Sequence, residues 1–193
     1  MRVLRRSAVL MLAAFAMLGG NTLYAAIAAQ MNLEQLVTQS DRVFLGTVID
    51  MSESRVEFGG GQLPAVTYRL HVDDTFKGSF EEIKGEKFAE VTMLGSIKQV
   101  KSGRHPISDF PLLKEGTEYL LMIAPAGPTG LTAPMGLGQG CFVVSGEAGG
   151  KAAMNGAHNA GLFAGMNVST SAGAAVPYDE LAAAIRAIVG GTQ

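Results

Sequence analysis

The chain has 193 residues, of which 48% are hydrophobic and 17% charged, and its formal net charge is −2. Residues 1–25 hold three arginines and no acid, so the remaining chain carries 12 basic and 17 acidic residues, a net charge of about −5. This composition lacks the positive surface that binds nucleic acids or anionic membranes, and no later apolar run is long enough to span a bilayer.

The first 28 residues predict a secretory signal peptide. Three arginines among the first six residues precede an uncharged, mostly apolar run over 7–18 and then a stretch of small residues. That order is typical of an export signal, and the apolar run is shorter than the roughly 20 residues that cross a membrane. We expect cleavage after Ala25 or after Ala28, with the mature chain in the periplasm or secreted.

Cys141 is the single cysteine of the chain. It lies far from the cleavage site and has no partner for an internal disulfide, so neither a lipoprotein nor a disulfide-stabilised domain is expected. It alternates with Val143 on one face of an apolar run, which favours a buried small hydrophobic residue. A cysteine-protease nucleophile motif requires glycine where Val143 stands.

A short helix opens the mature chain. Asn32 and Gln35 have the spacing of a capping box, and Leu33, Leu36 and Val37 fall on one helical face. The β-forming residues 43–49 then predict a strand.

Alternation predicts the next strand and a mainly β chain. Residues 59–64 contain three glycines and a proline and predict a hairpin tip, after which apolar and polar residues alternate over 65–73. Further strands are predicted at 88–94, 119–123, 141–144 and 151–154. Glycines and prolines predict loops over 95–110 and 125–140.

The last part of the chain predicts a flexible segment and a helix. Residues 156–175 are rich in glycine, alanine and serine, whereas Pro177 suits the first turn of a helix over 176–190. Several short strands between two small helices favour a closed β-barrel over 30–155, with the C-terminal helix packed on it.

Several of these segments resemble netrin-like domains, the OB-type barrels shared with tissue inhibitors of metalloproteases. The resemblance lies first in residues 36–78, including Ser40-Asp41-Arg42-Val43 and Phe76-Lys77-Gly78. Segments 115–121, 138–143 and 178–188 resemble those of small exported bacterial proteins that carry such a barrel. The resemblance implies a closed OB-type barrel and no catalytic residues.

The inhibitory mechanism of that superfamily does not carry over. Those inhibitors bind the protease zinc through an amino-terminal cysteine held by disulfides, whereas either cleavage here leaves alanine first. A protease remains one of the partners that the resemblance implies.

His71 and Asp73 are the weak candidates for a metal site. They share the outer face of one predicted strand with Arg69, and a third ligand would have to come from His105 or His158. The alternative is a solvated strand face on which opposite charges pair.

The basic cluster, defined as Lys98, Lys101, Arg104 and His105, is the candidate contact for an acidic partner. The alternative is a solvated loop. The glycines at positions 136, 138 and 140 lack the flanking strand and helix of a phosphate-binding loop and are interpreted as a loop tip.

These observations predict an exported, non-catalytic binding module without a cofactor, whose partner is another exported protein. The predicted contact surface consists of loops: the hairpin tip at 59–64, the basic loop at 98–105 and the loop at 125–140. The alternatives are a metal-dependent hydrolase and a passive component of the cell surface or matrix.

Overall fold

The computed structural model describes residues 29–105, 110–147, 150–166 and 173–191, and this part of the chain is mainly β. The helices are α1 (Leu33–Gln39), α2 (Ile97–Lys101) and α3 (Tyr178–Gly191). The strands are β1 (Arg42–Phe58), β2 (Gly61–Lys77), β3 (Glu81–Ile83), β4 (Glu86–Leu94), β5 (Glu118–Ile123), β6 (Cys141–Ser145), β7 (Ala152–Asn155) and β8 (Val176–Pro177). The predicted signal peptide lies outside the described residues and stays a prediction.

The predicted N-terminal helix α1 forms, with its capping box. The Asn32 side chain accepts a hydrogen bond from Gln35 N–H (2.9 Å), and the Gln35 side chain accepts one from Asn32 N–H (3.0 Å). These bonds satisfy two backbone donors that helix geometry leaves without partners. The three apolar residues on the inner face of α1 are buried: Leu33, Leu36 and Val37.

A long hairpin of two 17-residue strands, β1 and β2, is the centre of the sheet. The chain turns at Gly59 and Gly60, whose φ angles of 59° and 82° are readily adopted only by glycine. The predicted tip at 59–64 is narrower in the structure, because residues 61–64 already pair with β1. The alternation in β2 is confirmed by its four buried apolar residues: Val66, Tyr68, Leu70 and Val72.

The described strands do not close into the predicted barrel. They form one antiparallel sheet in the order β3-β4-β2-β1-β5-β6-β7-β8, and the edge strands β3 and β8 do not pair with each other. Alternation along a strand predicts which face is buried, whereas closure depends on pairing between the first and last strands. The edge strands have only three and two residues, so neither offers much backbone for such pairing.

The sheet curls, and two hydrogen bonds hold the curl. Thr132, in the segment after β5, donates its N–H to the Thr92 carbonyl of β4 (2.8 Å). Thr92 N–H in turn donates to Thr132 Oγ1 (2.8 Å). The chain after β5 therefore lies against β4, on the far side of the hairpin from β5 itself.

The curl produces a core on each face of the sheet. One core is enclosed by the curled strands and includes Phe44, Tyr68 and Leu121. The other lies under α1 and α3, where Leu36 and Leu181 pack with sheet residues. Burial on both faces stabilises strands that a single-layer sheet would leave half exposed.

The segment predicted to be flexible, 156–175, is described over 156–166 and 173–175. Its first part forms a series of turns, and Leu162 and Phe163 are buried in the core under the helices. The Leu162 carbonyl accepts a hydrogen bond from Leu33 N–H (2.7 Å), which ties this segment to the start of α1. Among the described helices, none is long and apolar enough to cross a membrane.

Candidate functional site

A cavity of about 990 Å³ opens beside β6 and β7 and is the candidate binding site. Its volume lies at the upper end of the range of roughly 300–1,000 Å³ that is usual for ligand pockets. Side chains along β6 and β7 form its floor, and the segments 110–112, 136–139 and 156–160 line its walls. This is the concave surface from which the functional argument is built.

The floor of the cavity is the uncovered face of two strands. Phe142, Val144 and Ala153 face the core under the helices and are buried. Their neighbours point the other way, so Val143 and Met154, which are directly opposite in the β6–β7 pair, line the cavity. Val143 is 45% exposed although it is apolar and central in its strand. The sheet therefore presents an apolar surface that no other described element covers.

The walls of the cavity contain strained backbone. Leu137, His158 and Asn159 have φ angles of 59°, 53° and 55°, and in the described chain only Lys84 is a further non-glycine residue with positive φ. Leu137 lies between the lining residues Gly136 and Gly138, and the other two lie between Ala157 and Ala160. Asparagine and histidine are enriched in this region, whereas for Leu137 the conformation costs about 1–2 kcal/mol and is of the kind that concentrates at functional sites.

Two buried asparagines hold the strained turn after β7. Asn155 Oδ1 accepts hydrogen bonds from Ala157 N–H (3.0 Å) and Asn159 N–H (2.7 Å). Asn159 Oδ1 accepts one from Asn155 N–H (3.0 Å), and its Nδ2 donates to the Ala153 carbonyl (3.1 Å). Each asparagine side chain thus accepts a hydrogen bond from the backbone N–H of the other, and this network fixes the shape of that wall.

Gln139 fastens the beginning of the described chain to the cavity. Its Oε1 accepts a hydrogen bond from Met31 N–H (2.8 Å), and its Nε2 donates to the Ala29 carbonyl (3.0 Å). The carboxamide therefore binds an extended backbone as a neighbouring strand would. Gln30, between these two residues, lines the cavity.

Cys141 lines the cavity, and its thiol is unreactive at neutral pH. It is buried and unpaired, as its position in the alternation predicts. Burial raises the pKa of its thiol to about 12, so the thiol stays protonated at neutral pH. Burial also raises the pKa of the neighbouring Tyr119, whose hydroxyl accepts a hydrogen bond from Lys114 N–H (3.0 Å).

The candidate metal pair His71 and Asp73 lies away from the cavity, on the outer face of β2. His71 Nδ1 is 2.8 Å from Asp73 Oδ1, and the Thr47 hydroxyl donates to Asp73 Oδ2 (3.2 Å). The described residues contain no group of three or more histidine, cysteine, aspartate or glutamate side chains placed to hold a metal. The predicted third ligands are elsewhere, His105 at the cavity and His158 in the turn after β7.

One member of the basic cluster, His105, lines the cavity. Lys98 and Lys101 belong to α2, a short helix that the sequence did not predict, and both are exposed, as is Arg104. His105 lines the cavity and donates its Nδ1–H to the Phe110 carbonyl (2.6 Å). His105 therefore joins the predicted contact cluster to the cavity.

The sequence does not predict that most of these residues line one cavity. The glycines at 136, 138 and 140 predict a loop tip, whereas in the structure Leu137–Gly140 forms a short 3-10 helix and Gly136 and Gly138 line the cavity. The asparagines at 155 and 159 had no assigned role, although Asn155-Gly156 after a strand indicates a tight turn. Of the residues singled out from the sequence, His105, Cys141 and the glycines at 136 and 138 line the cavity.

Comparison of the chain with protein-family models, with curated proteins and with solved structures found no match. The functional argument therefore rests on the geometry of the described residues.

Proposed function

We propose that this chain is an exported, non-catalytic binding module and that the cavity beside β6 and β7 is its binding site. The observation that carries the proposal is the uncovered apolar floor around Val143 and Met154. Apolar surface exposed in a concave site marks a place of interaction, because leaving it in water costs free energy. The strained residues in the walls support the same assignment.

Binding is favoured over catalysis by the state of the groups around the cavity. The thiol of Cys141 has a pKa raised to about 12, so it is a poor nucleophile at neutral pH. The carboxamides of Gln139 and Asn155 are engaged in hydrogen bonds that hold the walls. The lining residues include no aspartate or glutamate, and the Nδ1 of their one histidine, His105, is hydrogen-bonded to the Phe110 carbonyl.

Another exported protein remains the proposed partner class, and the basic cluster supports it. Two of the three loops predicted as contact surface, 98–105 and 125–140, contribute residues to the cavity. An acidic partner surface would meet Lys98, Lys101 and Arg104, which are exposed and precede His105 in the chain.

The relationship to netrin-like modules also remains a proposal. It is supported by the short helix α1 packed on a curled antiparallel sheet and by the C-terminal helix α3 on the same face. A shared fold would not by itself transfer an activity.

The binding site is tested with the neutral apolar dye Nile red and a matched pair of variants. Val143→Trp fills the cavity from a strand position that accepts aromatic residues, whereas Ile49→Trp changes a similarly exposed strand residue (48% exposed) that does not line it. We expect saturable dye binding that Val143→Trp reduces at least fivefold and Ile49→Trp leaves intact. Equal binding by all three proteins, each shown to be folded by thermal melting, would refute the proposed site.

Export is tested by the amino terminus of the protein recovered from the periplasm and the medium. We expect the mature chain to begin at Ala26 or Ala29, following the two predicted cleavage positions. Full-length protein confined to the cytoplasm would contradict this part of the proposal.

The metal-dependent hydrolase alternative has its own test. Zinc bound in a 1:1 ratio by the wild type and lost on His71→Ala would replace the binding proposal with a metal site at His71 and Asp73.

A further inference from the structure

We propose that the cavity binds an amphiphilic anion, a ligand with a long apolar body and a single carboxylate. This inference rests on the proposed binding site, since it names the chemistry of a small ligand for the cavity, whereas the exported protein is the proposed partner of the surrounding loops. It combines two features: the apolar lining of the cavity and the basic cluster, whose member His105 lines the cavity.

The lining specifies an apolar body. The floor and much of the walls are apolar, with contributions from Phe110, Leu112, Val143 and Met154. None of the lining residues is lysine, arginine, aspartate or glutamate. A ligand that enters here exchanges water for hydrocarbon contacts, which favours a molecule with few polar groups.

Two polar residues of the lining, Gln139 and Asn155, reinforce this preference. Both heteroatoms of the Gln139 side chain bond to the backbone of residues 29–31, and both heteroatoms of the Asn155 side chain bond to backbone groups. A peptide segment would bring an amide N–H and carbonyl with every residue, and these side chains are already engaged. An alkyl chain makes no such demand, so it fits the lining better than a peptide does.

The basic cluster specifies the charge of the head group. Lys98, Lys101 and Arg104 are exposed, and none of them forms a salt bridge with an acidic residue of the described chain. They lie within seven residues of His105, which is part of the cavity wall. Arg104 is bonded directly to His105, so a carboxylate near this wall would meet positive charge that no acidic residue of the described chain already pairs.

The body and the charge are tested separately with three ten-carbon ligands. Decanoate, decanol and decyltrimethylammonium share an apolar chain and differ in head charge. They are titrated calorimetrically into the mature protein below their micelle-forming concentrations. We expect decanoate to bind with 1:1 stoichiometry about tenfold more tightly than decanol, and decyltrimethylammonium to bind most weakly.

Charge-matched variants locate the head group. The triple variant Lys98→Gln, Lys101→Gln and Arg104→Gln removes the three lysine and arginine charges of the basic cluster. The control Arg55→Gln, Lys84→Gln and Lys87→Gln removes three exposed positive charges from residues that do not line it. We expect the first to remove the advantage of decanoate over decanol and to leave decanol binding unchanged, and the second to alter neither.

The outcomes separate this inference from the proposed function. Equal affinity for all three ligands, with binding lost in Val143→Trp, would overturn the anionic preference and leave the binding site standing. Nile red binding at the cavity without binding of any ten-carbon ligand would also overturn the inference alone. Absence of both Nile red and decanoate binding would overturn the two together.

Discussion

The Lys77 ammonium group lies 2.6 Å from the carbonyl oxygen of Ser40, the residue that caps the C-terminus of α1. It also donates to the carbonyls of Val37 (3.1 Å) and Thr38 (2.9 Å). Lys77 is the last residue of β2, so one side chain satisfies three carbonyls at the end of the helix and fixes α1 to the sheet. A positive charge at this position also complements the helix dipole.

We expect Lys77→Met to lower the free energy of unfolding by about 1–3 kcal/mol, because it removes three hydrogen bonds and retains the aliphatic stem. Urea denaturation measures the change. Lys87→Met, at an exposed position of β4, is the matched control and should change stability by less than about 0.5 kcal/mol. A similar effect of both substitutions would show that Lys77 acts only through its charge on the surface.

Gln139 should control the order of the segment at 29–31. Gln139→Ala removes both hydrogen bonds, so amide exchange at Met31 should accelerate. Gln139→Glu keeps the acceptor for Met31 N–H and loses the donor to the Ala29 carbonyl, so Met31 should remain protected. Hydrogen exchange followed by NMR distinguishes the two variants. Equal protection of Met31 in Gln139→Ala and wild type would contradict the arrangement.

Stability should fall in alkaline solution as pH rises from about 9 to about 12. Burial raises the pKa of Cys141 from 9.0 to about 12, so the folded protein retains a proton that the unfolded chain releases in this window. Burial raises the pKa of Tyr68 from 10.0 to about 12 and acts in the same direction.

Cys141→Ala isolates the contribution of the thiol. Above pH 9 its unfolding free energy should fall less steeply than that of the wild type, by up to about 1.4 kcal/mol per pH unit. Urea titrations at several pH values measure both slopes. Identical slopes would mean that the thiol ionises equally in the folded and unfolded states. Iodoacetamide at pH 8 offers an independent check, since it should modify Cys141 only after denaturation.

The Tyr178 hydroxyl should stabilise the attachment of α3 to the sheet. It donates to Asp74 Oδ2 (3.2 Å), and Arg186 of the same helix also contacts this oxygen. We expect Tyr178→Phe to cost about 0.5–1.5 kcal/mol of unfolding free energy, because the apolar ring remains and one hydrogen bond is lost. In an Asp74→Ala background the same substitution should cost less, and a double-mutant cycle measures the difference.

The sequence predicts α1 but not α2, although a capping box opens both helices. Asn32 and Gln35 precede an apolar helical face, whereas Ser96 and Gln99 form an equivalent capping box inside a stretch with glycines at both ends. Of the five residues of α2, Val100 is the one that is buried. One buried position is too few to show a helical period in the sequence. A capping box was therefore a better guide here than the composition around it.

The strands of the hairpin extend further than their sequence indicates. Residues 50–58 of β1 lack regular apolar alternation, and they are strand because they pair with β2. Pairing partners, sheet curling and barrel closure are long-range properties that a single strand does not encode.

The candidate site depends on the same long-range assembly. Gln139 and Met31 are 108 residues apart in the sequence and hydrogen-bonded in the structure. No spacing rule connects them, whereas the burial of Cys141 follows from its own strand. The sequence thus indicates individual buried residues better than it indicates the cavity that they share.

One face of β6 and β7 packs in the core, whereas the opposite face lines the cavity. Phe142, Val144 and Ala153 belong to the core and are constrained by its packing. Val143 and Met154, on the opposite side of the same backbone, contribute to the cavity. Under the proposed function, substitutions at these two positions would alter ligand preference at little cost to stability, because the core packs on the opposite side of both strands.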